Sequence, residues 1–128
     1  MTALLDTHAL LWWLAGDERL SPAARKLIDD PTNTILVSAA SAWEITTKSR
    51  LGKLPNAAVL ANDVGQAVDS QGFSKLDISF AHAERAGRLP GAHRDPFDRM
   101  LAAQAVEMDI PLVSCDTALD VFAVRRLW

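Results

Sequence analysis

The sequence predicts an α/β domain with a mostly parallel sheet and helices on both faces. Three observations predict it. Short apolar runs rich in branched residues alternate with longer segments of helical period. Gly16, Pro31, Gly52, Gly72 and Pro90-Gly91 punctuate the alternation. Acids stand at the turns: Asp6, Glu44, Asp95, Asp98 and Asp116 each follow a strand-like run or open a helix behind one. In such sheets, strand ends and helix starts share one edge, where ligands bind.

Ala3-Leu4-Leu5 is a short buried strand ending at Asp6. Thr7 is placed to cap a helix through Leu14, which Gly16 ends. Ser21-Pro22 opens a helix over Ala23 to Asp30, with proline in the first turn. Thr34-Ile35-Leu36-Val37-Ser38 is a second strand. Ser41-Ala42-Trp43-Glu44 matches a capping box, opening a helix towards Leu51. Asn56 to Ser70 reads as one helix, and Phe73 to Ile78 as a half-exposed strand. Ser79 to Arg88 is helical, and Leu89 to His93 a loop. Pro96 to Asp109 buries Leu101, Ala102, Ala105 and Met108 along one stripe. Leu112-Val113-Ser114 is a strand, and Val121 to Trp128 an edge strand.

The chain has 128 residues, of which 49% are hydrophobic, so a single domain, 1–128, with a real core is expected. No apolar run approaches the roughly 20 residues of a membrane span, and the start lacks a basic signal-peptide region. The single cysteine, Cys115, excludes an internal disulfide and suits a reducing cytoplasm; its simplest role is a small buried filler. A net charge of −3 argues against a protein held on nucleic acid by bulk charge.

Singly, each acid fits helix capping, because carboxylates satisfy free N–H groups and meet the positive end of the helix dipole. Together they point further. Gathered carboxylates repel one another and raise each other's pKa unless a cation joins them. Mg²⁺ and Mn²⁺ prefer such oxygen ligands and neutralise a phosphoryl group under attack. The sequence has no zinc spacing, glycine-rich phosphate loop or nucleophile elbow. Metal-dependent phosphodiester hydrolysis is the chemistry that fits best.

Leu5-Asp6-Thr7-His8, Ser41-Ala42-Trp43-Glu44-Ile45, His93-Arg94-Asp95-Pro96-Phe97-Asp98-Arg99 with Ala102-Ala103-Gln104-Ala105, and Leu112-Val113-Ser114-Cys115-Asp116 resemble the ordered motifs of PIN domains. The likeness is strongest to the VapC-type toxins of bacterial toxin–antitoxin pairs and runs essentially the length of the chain. It implies an α/β/α sandwich, Mg²⁺- or Mn²⁺-dependent endoribonuclease activity, a homodimer and inhibition by a cognate antitoxin. Carried across by motif, Asp6, Glu44, Asp98 and Asp116 match the family's acidic quartet. Asp95 is an additional acid, with Asp120 behind it. Thr7 and Ser114 are hydroxyls that would orient carboxylates or waters. Cys115 stands where many relatives carry a basic residue, which puts one substrate contact in doubt.

Arg94 and Arg99 are candidate RNA-phosphate contacts, which Lys48, Arg50 and Lys53 would extend; the plainer reading of these cations is a solvated surface. His8 and His93 read as loop or cap residues, and His82 as an ordinary helix residue. Trp12, Trp13, Trp43 and Trp128 suit packing or an interface. Two other classes compete: a non-catalytic interaction domain of the same fold, and an aspartate-based phosphatase or phosphoacceptor. The latter usually needs a lysine at a later strand end, which is absent around Ser114.

Overall fold

Five short strands run side by side: β1 (Thr2–Leu5), β2 (Thr34–Ser38), β3 (Ser74–Leu76), β4 (Leu112–Val113) and β5 (Arg126–Leu127). Their order is β3-β2-β1-β4-β5, and every pairing is parallel. The computed structural model describes residues 1–128. Seven helices accompany the strands: α1 (Thr7–Ala15), α2 (Pro22–Asp29), α3 (Ala39–Arg50), α4 (Ala58–Asn62), α5 (Val64–Ser70), α6 (Phe80–Arg88) and α7 (Pro96–Met108). None is long and apolar enough to cross a membrane.

Alternation along the strands splits the core into two layers. Leu4 lies in register with Leu36 and Leu112, and these three pack with Ala40 of α3 and Leu101, Ala102 and Ala105 of α7. Leu5, beside Val37 and Val113, faces the other way, with Ala9 and Leu10 of α1, Ala24 and Ile28 of α2, and Val64 and Val68 of α5. The result is the expected α/β/α arrangement. β2 and β3 extend the sheet on one side of β1, and β4 and β5 on the other. The strand order therefore reverses between β1 and β4, where an α/β sheet opens a crevice at its carboxyl edge.

Several boundaries differ from the sequence expectation, each for a local reason. Asp6, not Thr7, caps α1: its Oδ1 accepts the Ala9 N–H at 2.7 Å, while the Thr7 hydroxyl donates to Ser41 Oγ at 3.0 Å. α3 begins directly off β2, with Ser38 as its cap accepting the Ala40 N–H at 3.0 Å. No Ser41–Glu44 capping box forms; both residues lie inside the helix. The expected helix from Asn56 to Ser70 is three pieces, a 3₁₀ turn (Pro55–Ala57), α4 and α5. The break is at Asp63, which leaves helical geometry (φ −157°, ψ 78°) and accepts the Gln66 N–H at 2.9 Å. The last segment is a 3₁₀ turn (Thr117–Phe122) followed by the two-residue β5, rather than one strand from Val121. Cys115 is exposed, not buried.

Candidate active site

The acids converge on the edge where the strand order reverses. Asp6 directly follows β1, Glu44 sits in the second turn of α3, Asp95 and Asp98 open α7, and Asp116 follows β4. Asp6 is 5% exposed and Glu44 3%. Burial raises the Asp6 pKa; the Ser114 hydroxyl, the Ala9 amide and His8 pull it back, and the Glu44 charge adds to the rise. Ser114 is itself fully buried, and its Oγ accepts the Asp116 N–H at 3.0 Å. It thus connects the first and last acids of the sequence.

Glu44 is divided between two environments. Its Oε2 is ion-paired to Lys48 Nζ, one turn along α3. Its Oε1 is buried with no hydrogen-bond partner. An orphaned carboxylate oxygen in a buried site costs folding free energy unless something supplies positive charge there.

Asp98 carries the clearest mark of crowding. Its pKa is pushed up to about 7, first by burial, then by the charges of Asp95 and Glu44, with Asp6 adding to the rise and His93 opposing it. Asp95 caps α7: its Oδ1 accepts the N–H groups of Phe97 and Asp98 at 2.9 and 3.2 Å. Asp116 Oδ1 caps the 3₁₀ turn through Ala118 N–H at 3.0 Å, and its Oδ2 lies 3.9 Å from His93 Nε2. Asp95 and Asp116 cap as the sequence allows, Asp6 takes the cap expected of Thr7, and each leaves its second oxygen outside the cap bond.

His93 stands within the site itself rather than only in the loop beside it. Its Nε2 is 3.3 Å from Asp98 Oδ2, and one ligand atom each of His93, Asp98 and Asp116 falls within 4.8 Å of the others. Its Nδ1 accepts the Asp95 N–H at 3.3 Å, which leaves Nε2, the nitrogen nearer the two acids, to carry the ring hydrogen. The loop that carries it is tied down by Arg99. That guanidinium donates to the carbonyls of Ala86 (2.9 Å), His93 (3.1 Å) and Leu89, and covers the Phe122 ring at 5.4 Å. Phe122 in turn stacks on His93, with ring centroids 5.8 Å apart. Arg99 therefore faces the protein's own carbonyls rather than a bound phosphate.

Arg94 is exposed beside the acids, and Arg50 and Lys53 are exposed at the C-terminal end of α3. Asp120 pairs with Arg126 at 2.9 Å, outside the cleft. His82 is buried; it completes the α6 capping box with Ser79 and approaches Gln104 Nε2 at 3.3 Å. Trp12 packs on Trp128, and Trp13 on Phe73. Trp43 remains 58% exposed, edge-on to Phe97 at 4.8 Å. Sequence reasoning underrated His93 and Lys48. The Glu44–Lys48 spacing of four along a helix was the available signal for Lys48.

Donor chemistry fits a hard divalent cation. The cleft offers carboxylate oxygens from four segments, one of them orphaned, and a carboxyl, that of Asp98, whose pKa burial and its acidic neighbours push up to about 7. Fold and cleft together define a parallel α/β domain with a carboxylate cluster at its switch point. The PIN domain family model matches residues 3–124, and the chain belongs to that family.

Among its relatives is Ribonuclease VapC16 of Mycobacterium tuberculosis, 45% identical over 74 residues, a match covering 56% of this chain and only about half (52%) of that protein. Ribonuclease VapC22 of the same organism is 30% identical over 119 residues, 92% of this chain and 89% of the relative. The crystal structure of VapBC2 from Rickettsia felis, bound to a DNA fragment from its promoter, superposes with a TM-score of 0.67 at 16% identity. That superposition covers 99% of this chain and 98% of the other, and it supports the fold.

Proposed function

We propose that the protein is a Mg²⁺- or Mn²⁺-dependent endoribonuclease, the toxin of a toxin–antitoxin pair, acting in the cytoplasm as a homodimer held in check by a cognate antitoxin. The observation that carries the reading is a cluster of buried and half-buried acids short of positive charge: Glu44 Oε1 has no partner, and Asp98 is pushed up to about 7. The names of the relatives, Ribonuclease VapC16 and VapC22, supply the reaction class, and the VapBC2 complex supplies the two-component context.

Asp6, Asp98 and Asp116 would hold the ion, with Glu44 completing the set. When bound, it would neutralise charge on the phosphoryl group and lower the pKa of water. The protein's own residues do the rest. The buried Asp6 is oriented by the Ala9 amide, and Ser114 stands beside it. The free Oε1 of Glu44 is the acceptor available to take a proton from the attacking water. The water oxygen bonds to phosphorus as the bond to the 3′ oxygen breaks, leaving a 5′-phosphate and, once that oxygen is protonated, a 3′-hydroxyl. Arg94, exposed next to Asp95, is the cation best placed to meet the RNA backbone.

The test is cleavage of RNA by the purified protein with Mn²⁺, reading the chemistry of the new 5′ ends. Asp6→Asn and Asp98→Asn should fold and lose roughly 10²- to 10³-fold or more of the rate. Wild-type rates in Asp6→Asn would sink the assignment. Phosphate release from small phosphoesters without RNA cleavage would favour a phosphatase, and no Mn²⁺ response at all an interaction domain.

A further inference from the structure

We propose that Lys48 is the resident cation of the acid cleft: its ammonium group, locked on Glu44, takes the place of divalent charge in the metal-free protein, stabilising that state and weakening the protein's hold on the metal. The inference rests on the metal-site reading above and concerns what the same site does before a metal arrives.

Five acids surround the cleft, and Lys48 is the only lysine or arginine ion-paired with any of them. The other nearby cations are engaged elsewhere or face solvent. Arg99 is spent on the carbonyls of Ala86, Leu89 and His93, and Arg126 on Asp120. Arg94 is exposed and unpaired. His93 contributes an N–H, with full charge only on protonation.

Lys48 is placed for this role by helix geometry. It lies four residues after Glu44 on α3, so both side chains share one face. The Glu44 side chain is 5% exposed and that of Lys48 30%, so the ammonium reaches inwards from the rim. Burial works against its charge, but Glu44, Asp95 and Asp98 together outweigh that and raise its pKa. The bond occupies Glu44 Oε2 and leaves Oε1 free. An arriving dication meets a positive charge already seated among its ligands.

A thermodynamic cycle makes this measurable. If Lys48 stabilises the metal-free protein more than the metal-bound one, its removal must tighten metal binding by the same factor. The experiment uses the full chain at pH 8 and low salt, with MnCl₂ as the probe. It compares wild type, Lys48→Met, Lys48→Arg, Asp6→Asn, Glu44→Gln and the double variant Lys48→Met/Glu44→Gln.

Lys48→Met should lower the metal-free melting midpoint. It should also decrease the Kd for Mn²⁺ by roughly tenfold or more, the scale of removing one like charge from a half-buried cluster. Its midpoint should therefore rise more on Mn²⁺ addition than that of wild type. Lys48→Arg should restore wild-type behaviour in both readouts. A residue that merely packs α3 would lower the midpoint without tightening the metal.

An unchanged or higher Kd in Lys48→Met overturns the proposal, as does an unchanged metal-free midpoint. Should Lys48→Met not fold without metal, the double variant decides. Removing the buried carboxylate together with its ammonium should restore a folded metal-free protein, and a double variant that also fails to fold overturns the proposal. Mn²⁺ that binds wild type and Asp6→Asn alike would instead sink the nuclease reading. The Lys48–Glu44 coupling is then still read without metal, and its absence overturns the Lys48 proposal.

Discussion

The two walls of the acid cleft are built by different means. On the inner wall, Asp6 and Glu44 are buried, and each is held within its own helix, by the Ala9 amide and by Lys48. On the outer wall, Asp98 and Asp116 are partly exposed and both stand near His93 Nε2, at 3.3 and 3.9 Å, which arrives on the loop between α6 and α7. The inner wall is therefore a product of regular secondary structure. The outer wall depends on a tether, Arg99, that ties the loop through its backbone carbonyls.

Cutting the tether should have the largest effect. Arg99→Ala orphans the carbonyls of Ala86, Leu89 and His93 and uncovers Phe122. The expected loss is about 3 kcal/mol in urea unfolding. Arg99→Lys should not repair it, because a point charge cannot span several carbonyls. A loss under about 1 kcal/mol would mean that the outer wall holds itself together.

The inner wall has an equivalent at Ser38. Its hydroxyl accepts the Ala40 N–H and donates to Gln104 Oε1 at 2.6 Å, joining α3, which carries Glu44, to α7, which carries Asp98. Ser38→Ala removes a cap and leaves Gln104 short of a partner in the core. About 2 kcal/mol is expected, again from urea unfolding. If it costs no more than an exposed serine, the two helices are aligned by apolar packing alone.

The walls should also separate by pH. Asp98 titrates at about 7 in the folded protein, against an ordinary value of 3.8. The folded state therefore binds this proton more tightly than the unfolded one. Its contribution to stability is complete below about 3.8 and is lost as pH rises through about 7. Asp98→Asn should accordingly stabilise the metal-free protein at pH 8, with the gain shrinking to nothing near pH 4. Part of the side chain meets solvent, so we expect about 1 to 2 kcal/mol rather than the full linkage value. Mn²⁺ should also bind more weakly as pH falls below about 7, because it must then displace that proton. A stability difference that stays flat between pH 4 and 8 would show Asp98 ionising like a free carboxylate.

The same division explains what could be read from the sequence. The central strands, the two faces of the sheet and the edge carrying Asp6, Asp98 and Asp116 follow from apolar alternation and turn chemistry, which are local; Glu44 reaches that edge from inside α3, not from the helix start expected for it. The start of α3 is not fixed locally, because Ser38 and Ser41 are both acceptable caps. The choice fell to Ser38, at the end of β2, whose hydroxyl also meets Gln104 on α7, 66 positions away. The break at Asp63 was missed because a lone aspartate within a helical period looks like a surface residue. His93 reads as a loop residue and Arg99 as an RNA-phosphate contact for one reason: their partners are acids and backbone carbonyls brought together only by the packing of α6 on α7, and no residue spacing encodes that.

Asp120 offers the smallest effect and a control on the whole division. It is an acid of the same 3₁₀ turn that Asp116 caps, four residues on. Yet it pairs with Arg126 at 2.9 Å, and that partner holds its carboxyl below the ordinary carboxylate range. A depressed pKa marks an acid already matched by a cation, the reverse of Asp98. Any support from that exposed pair is too small to move the melting midpoint; it is present at neutral pH, fades only on acidification through the lowered pKa, and is screened by salt. Asp120→Ala should leave the melting midpoint, the Mn²⁺ affinity and RNA cleavage unchanged within error. A loss of Mn²⁺ binding in this variant would extend the outer wall to the edge strand and erase the distinction between acids that await a cation and those that already have one.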